Sequence, residues 1–197
     1  KHDGAHIEGI SVGDIFNTVS NEFWSGEEGI TIIPVSYKRV FLEWGPERGG
    51  GLVATYDDAS ILQQTTKNER YQDILPNGNT IQTTANHYVL QVKEDGSFTP
   101  VMLAMTGTQL KKSKKWNSMM ASIKIKGTEG QMFTPATYSH KYKLTAVPES
   151  NDSGSWYGWN ITNLGMLIGS EADLYSSAKE FGSTVNAISY SSQEEVA

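Results

Sequence analysis

One helix-type segment set among β-type runs constrains the fold more than any other feature of this chain. Thr108–Ile123 places Trp116, Met119, Met120 and Ile123 at i, i+3, i+4 and i+7, a single face of an α-helix, with Thr108 before it as an N-cap. Two strands precede it. Asn86–Lys93 alternates apolar and polar residues, Glu94-Asp95-Gly96 reads as a turn, and Phe98–Met105 follows as a second strand. Two more come after it: a long run over Met132–Val147 with Pro135 near its start, then a turn at Asn151–Gly154 and a strand over Trp156–Ile161. Further upstream, Ile30–Trp44 is a run of branched and aromatic residues interrupted at Pro34, which predicts an edge position or a bulge.

The remaining segments are weaker. Gly13–Asn21 reads as a short helical or irregular arm, with Ile15, Phe16 and Val19 near helical spacing. Gly45–Gly51 is a flexible loop, Ala54–Asp73 is polar and ambiguous, and Asn77-Gly78 is a hairpin-type turn. Glu171–Val185 reads as an amphipathic helix capped by Ser170. The order is therefore strand, long connection, strand, strand, helix, strand, strand, helix. It predicts a mainly β fold: an OB-like five-stranded barrel with a helix between strands 3 and 4 and a C-terminal helix. The expected organisation is an N-terminal arm over residues 1–29, one OB-like DNA-binding domain over 30–188 and an acidic disordered tail over 189–197. The chain opens on Lys rather than Met, so upstream residues are expected to be missing, and no chemistry is placed on Lys1–Gly9.

Charge supplies the functional lead. The window Lys111–Lys143 holds eight lysines (Lys111, Lys112, Lys114, Lys115, Lys124, Lys126, Lys141, Lys143) against Glu129 alone, for a net charge of +7, while the rest of the chain carries −13. Clustered lysines repel one another, and binding to phosphates relieves that repulsion and releases counterions. Aromatic residues accompany the cations: Trp116 adjoins Lys115, Tyr138, His140 and Tyr142 are expected on one face of a strand with Lys141 and Lys143 on the other, and Trp156 follows. Cations along a backbone with flat rings beneath the bases is what sequence-tolerant single-strand binding requires. Taken singly, lysines on a helix are ordinarily a solvated face and strand tryptophans ordinarily core. The sequence shows neither a zinc finger nor a recognition-helix module for duplex reading.

Catalysis finds no support in the residues. The chain has no cysteine, which excludes a disulfide framework, a thiolate zinc site and a cysteine nucleophile. Its histidines His2, His6, His87 and His140 lack ligand spacing, the adjacent acid pairs point to opposite faces, and the triglycine Gly49-Gly50-Gly51 is not followed by the Lys-Ser/Thr of a phosphate loop. The expectation is a non-enzymatic protein without cofactor or metal. No run approaches the length of a membrane span, so a soluble cytoplasmic protein with no membrane partner is expected.

Three features together give a resemblance: the strand–strand–helix–strand–strand order over Asn86–Ile161, the segment Thr108–Met120 (TQLKKSKKWNSMM), and the strand WYGWNI with the helix after it. In these the chain resembles the bacteriophage single-stranded DNA-binding proteins of the T7 type. The resemblance implies an OB fold and a role coating exposed strands in replication and recombination, with partner proteins recruited through an acidic tail. This chain departs from that pattern at its end, Glu195-Val196-Ala197, where the family has an aromatic residue. The expected partners are single-stranded DNA, replication or recombination proteins at the tail, and a second copy in a homodimer. Lys111, Lys112, Lys114, Lys115, Lys124, Lys126, Lys141 and Lys143 are assigned to phosphates, and Trp116, Tyr138, Tyr142 and Trp156 to stacking. Two other classes remain open: a virion structural or assembly protein whose lysines meet an acidic neighbour, and a strand-annealing recombination protein.

Overall fold

The computed structural model describes residues 9–46, 51–152 and 154–194. Expectations placed on Lys1–Glu8, on Glu47–Gly50 of the glycine-rich loop and on Glu195–Ala197 lie outside the described residues. In chain order the elements are β1 (Ile15–Phe16), β2 (Phe23–Trp24), β3 (Ile30–Trp44), β4 (Leu52–Tyr56), β5 (Thr66–Lys67), β6 (Asp73–Ile74), β7 (Thr80–Val92) and β8 (Phe98–Thr106). Then follow α1 (Gln109–Ser122), β9 (Ile125–Lys126), β10 (Met132–Phe133), β11 (His140–Asn151), β12 (Gly154–Met166) and α2 (Ala172–Glu194). The protein is mainly β, with a curled half-barrel sheet and a C-terminal helix.

The five long strands run β8–β7–β3–β11–β12, every neighbouring pair antiparallel. Among the described residues no ladder joins β8 to β12, so the curled sheet stays open between its two ends. The longest ladder pairs β3 with β7 from Thr31↔Val92 to Trp44↔Thr80, and its register shifts between Pro34 and Ser36. That shift is the bulge expected at Pro34. Proline has no N–H to give the ladder, and the extra residue lets β3 stay central rather than at an edge. The hairpin between β7 and β8 turns where expected, with Gly96 at φ 82° and Lys93 N–H donating to Ser97 O at 2.8 Å.

The inner face of the half-barrel is the main core. Ile32, Ala85, Val89, Met105, Tyr142 and Leu144 from the strands close around Trp116 and Met120 of α1. The helix reaches both β8 and β12 and so spans the opening at one end. Gln109 Oε1 accepts the Trp159 N–H at 2.9 Å, giving a partner to a backbone group on the free edge of β12. On the outer face, Ile33, Val35, Leu90 and Leu167 meet Ala178 of α2.

Several boundaries differ from the sequence reading, each for a local reason. Thr108 is already helical at φ −61°, ψ −26° and caps nothing with its side chain. The single long run expected over Met132–Val147 is broken near Pro135 into β10, a 3-10 turn over Thr137–Ser139, and β11. The C-terminal helix is entered through a 3-10 turn over Gly169–Glu171 and continues to Glu194, so residues 189–194 extend a helix where an irregular tail is expected. Gly13–Asn21 is not a helical arm: β1 and β2 pair as a hairpin, Ile15 with Trp24 and Phe16 with Phe23. This hairpin is docked on the domain by two glycines. A Cβ at Gly26 would lie 1.9 Å from Gly13 O, and one at Gly29, where φ is 70°, would lie 2.0 Å from Leu144 O. Only a residue without a side chain lets the arm run this close to β11. Among the described residues, no helix is long and apolar enough to cross a membrane.

Candidate functional site: a lysine face and an interior cleft

The lysine window, continuous in sequence, is divided in space. On α1, Ser113, Trp116 and Met120 point into the core, and the helical period leaves Lys111, Lys114 and Lys115 exposed. Lys112 is half-buried and its Nζ sits 2.5 Å from Glu149 Oε1. That ammonium, and next the Trp156 N–H, hold the Glu149 carboxyl below its ordinary range against the opposing effect of burial. The chain then forms the β9–β10 hairpin, which carries Lys124 and Lys126 on its exposed side. Lys141 and Lys143 lie elsewhere. The strand alternation of β11 sends Tyr142 and Leu144 inward to Trp116, and the two lysines outward to a pocket of about 510 Å³ shared with Glu22, Glu94, Asp95, Glu171 and Lys93. There Lys141 pairs with Glu171 and Lys93 with Glu22.

Outside the window Lys38, Lys67 and Lys93 each hold a carboxylate within 3.0 Å, while the exposed Lys179 of α2 makes no ion pair among the described residues. Within the window, Lys111, Lys114, Lys115, Lys124, Lys126 and Lys143 make no ion pair among the described residues. Five of these, all but Lys143, form the exposed set on α1 and the hairpin that follows it.

The rings assigned to stacking also part company. Trp116 is 1% exposed and Tyr142 fully buried, their rings meeting edge to face at 5.6 Å. Both are core residues and cannot serve as platforms for a base; burial pushes the Tyr142 hydroxyl up to about 12. Tyr138 sits in the 3-10 turn and packs edge-on against Tyr175 of α2 at 5.2 Å, while His140 is buried with Nδ1 2.7 Å from Ser139 Oγ. The common face expected for Tyr138, His140 and Tyr142 therefore does not form as a binding surface. Trp156 is half-buried, and its Nε1–H donates to Glu149 Oε2 at 2.9 Å. An exposed aromatic beside the lysines was missed: Phe133, opposite Ile125 on the β9–β10 hairpin and next to the exposed Met132. Its signal was the Gly-Thr-Glu-Gly turn at 127–130, which makes a hairpin of the segment around Lys126.

Beneath α1 lies a sealed polar cluster. His87 is fully buried, its Nε2 2.7 Å from Ser113 Oγ and its ring stacked on Trp116 at 4.6 Å. Among the described residues, His87 Nδ1, Trp116 Nε1 and Tyr142 Oη find no hydrogen-bond partner. A Ser–His contact suggests nucleophilic chemistry, but Ser113 is only 1% exposed, so no substrate carbonyl reaches it. No group of three or more His, Asp or Glu residues could hold a metal ion among the described residues.

The other end of the half-barrel interior is open. The β1–β2 hairpin stands over a cleft of about 350 Å³ whose walls come from β3, β7, the edge of β8 and Trp159 of β12. Trp24, Ile30 and Gln91 are shared between this cleft and the pocket of Lys141 and Lys143. On the other side, Trp159 is shared with a small recess lined by Lys112 and Lys115. Ile15 and Phe16 belong to the lining from the arm, a part of the chain to which the sequence reading gave no role.

Comparison with known proteins gives one family. The model of the Pam3 phage gp34-like protein family matches residues 1–190, and the chain belongs to that family. No curated protein and no solved structure matches the chain.

Proposed function

For this member of a phage protein family, we propose binding of single-stranded DNA with little sequence preference, as a non-enzymatic factor in phage replication or recombination. The observation that carries the reading is the set of exposed, unpaired lysines on α1 and the β9–β10 hairpin in a chain whose net charge is −6. A protein this acidic has carboxylates in plenty to neutralise those ammoniums, yet among the described residues none lies within ion-pair distance of these five. A polyanion supplies the missing counter-charge.

Lys111, Lys114, Lys115, Lys124 and Lys126 are the phosphate contacts in this reading. Phe133 and the half-buried Trp156 are the surface rings. Strand order adds a fold-level argument: β3, β7, β8, α1, β11 and β12 follow one another as the five strands and helix of an OB barrel do, with the β8–β12 closure bridged by the helix. We take the half-barrel as OB-like on that basis.

A fluorescently labelled dT oligonucleotide, titrated with protein at several salt concentrations and competed with duplex, tests the reading by anisotropy. Saturable binding that weakens steeply with salt and resists duplex competition is expected. No binding at low salt would overturn it and leave the lysine face as a surface for an acidic protein neighbour.

A further inference from the structure

The curled sheet has two long edge strands, β8 and β12, and the chain treats them differently. On β12, backbone donors are already taken by side chains. Trp159 N–H goes to Gln109 Oε1 at 2.9 Å and Gly165 N–H to Asn163 Oδ1 at 2.7 Å. Among the described residues β8 has no such caps. Its pairing with β7 starts at the turn, where Lys93 N–H donates to Ser97 O, and runs in constant register from Val92↔Phe98 to Thr84↔Thr106. Alternation then gives the backbone groups of Thr99, Val101, Leu103 and Met105 to β7 and turns those of Phe98, Met102 and Ala104 outward. Pro100 belongs to the outward set, where a residue without an N–H costs no ladder bond.

Side chains add a second observation. Phe98, Pro100, Met102 and Ala104 share the outer face of β8, and all are exposed, Phe98 to 40% and Met102 to 53%. Val101, Leu103 and Met105 on the other face belong to the core, so β8 is largely apolar on both sides, the pattern of a strand that is covered on both. Edge strands ordinarily carry charge that prevents edge-to-edge pairing. From Gly96 to Leu110 this chain carries none. A second copy is the occupant that this absence suits. When a strand meets its own copy antiparallel across a two-fold axis, a charge near its middle faces the same charge, whereas a strand that meets a different protein can carry charge and be matched. We propose that two copies of the protein pair through β8, antiparallel about a two-fold axis, so that their half-barrel sheets continue into one. No nucleic acid takes part in this contact, which stands apart from the single-strand reading.

Sedimentation equilibrium of the whole protein tests it. Wild type should give twice the mass of the chain and dissociate on dilution. Met102 lies at the middle of β8, so in Met102→Lys two ammoniums meet near the axis. The dimer Kd should then rise at least about a hundredfold, with the circular dichroism unchanged. Met102→Glu should do the same, and an equimolar mixture of the two variants should dimerise, because opposite charges then meet. Should the Met102 variants fail to fold, Phe98→Lys, on the same exposed face, makes the comparison with wild type. A wild type that is monomeric at every concentration would overturn the proposal. So would a Met102→Lys protein that assembles as wild type does, or a mixture of the two folded variants that stays monomeric.

Discussion

The two ends of the half-barrel interior are built from the same strands and treated in opposite ways. At one end α1 drives Trp116 and Met120 between β7, β8 and β11 and seals even polar groups such as His87 and Ser113 from water. At the other, a two-residue-per-strand hairpin covers the space incompletely and leaves Gln91 facing a cleft. One end is where burial stabilises the fold; the other gives up burial and keeps room. The indole next to the densest lysines, Trp116, is structural, and the indoles that line the open cleft, Trp24 and Trp159, lie away from the basic run in sequence.

Truncation at each end gives the largest contrast. Trp116→Ala removes a fully packed indole and should cost about 3–5 kcal/mol. Trp24→Ala, on a half-buried hairpin, should cost about 1 kcal/mol, near the centre of ordinary substitutions. Urea denaturation of the two variants measures both; equal losses would erase the distinction between the ends.

Acid should act on the sealed end next. Desolvation lowers the His87 imidazole from 6.5 to about 4. Between those values the unfolded chain binds the extra proton and the folded one does not, so stability is full above pH 6.5 and falls as pH drops toward 4. The loss is on the order of 3 kcal/mol, with His140, lowered by its own burial, acting in the same direction. Carboxylates held low by partners, such as Glu43 with Tyr56 and Asn79, release their contribution at more acid pH. Unfolding free energy should therefore slope across pH 4–6.5 in wild type and flatten in His87→Gln. A flat wild-type profile there would mean that water reaches the ring.

Much of the sealed end was legible in the sequence. The spacing of Trp116, Met119 and Met120 gave one apolar face of α1 because a 3.6-residue period repeats through the segment, but Trp116 was assigned to stacking and is core; Asp95-Gly96 gave the β7–β8 turn because glycine accepts the positive φ required there. The division of the lysines was less visible. It depends on Lys141 and Lys143 sharing a strand with Tyr142 and Leu144, whose inward alternation turns the two cations away from α1. The open end was not legible at all. Ile15-Phe16 and Phe23-Trp24 are too short to show a strand period, and their pairing depends on glycines at 26 and 29 that let the arm approach β11. Phe133 was hidden by reading residues 132–147 as one strand, since Pro135 and the turn before it break the run.

In the reading we propose, the exposed face of α1 holds phosphates while its buried face holds the fold. The slope of log Kobs against log salt for a dT oligonucleotide tests it most directly, comparing wild type with a Lys111→Ala, Lys114→Ala, Lys115→Ala variant. Single-strand contacts contribute about 0.7 each to that slope, so it should become shallower by about 2, with the unfolding midpoint unchanged. Equal slopes in the two proteins would contradict the claim.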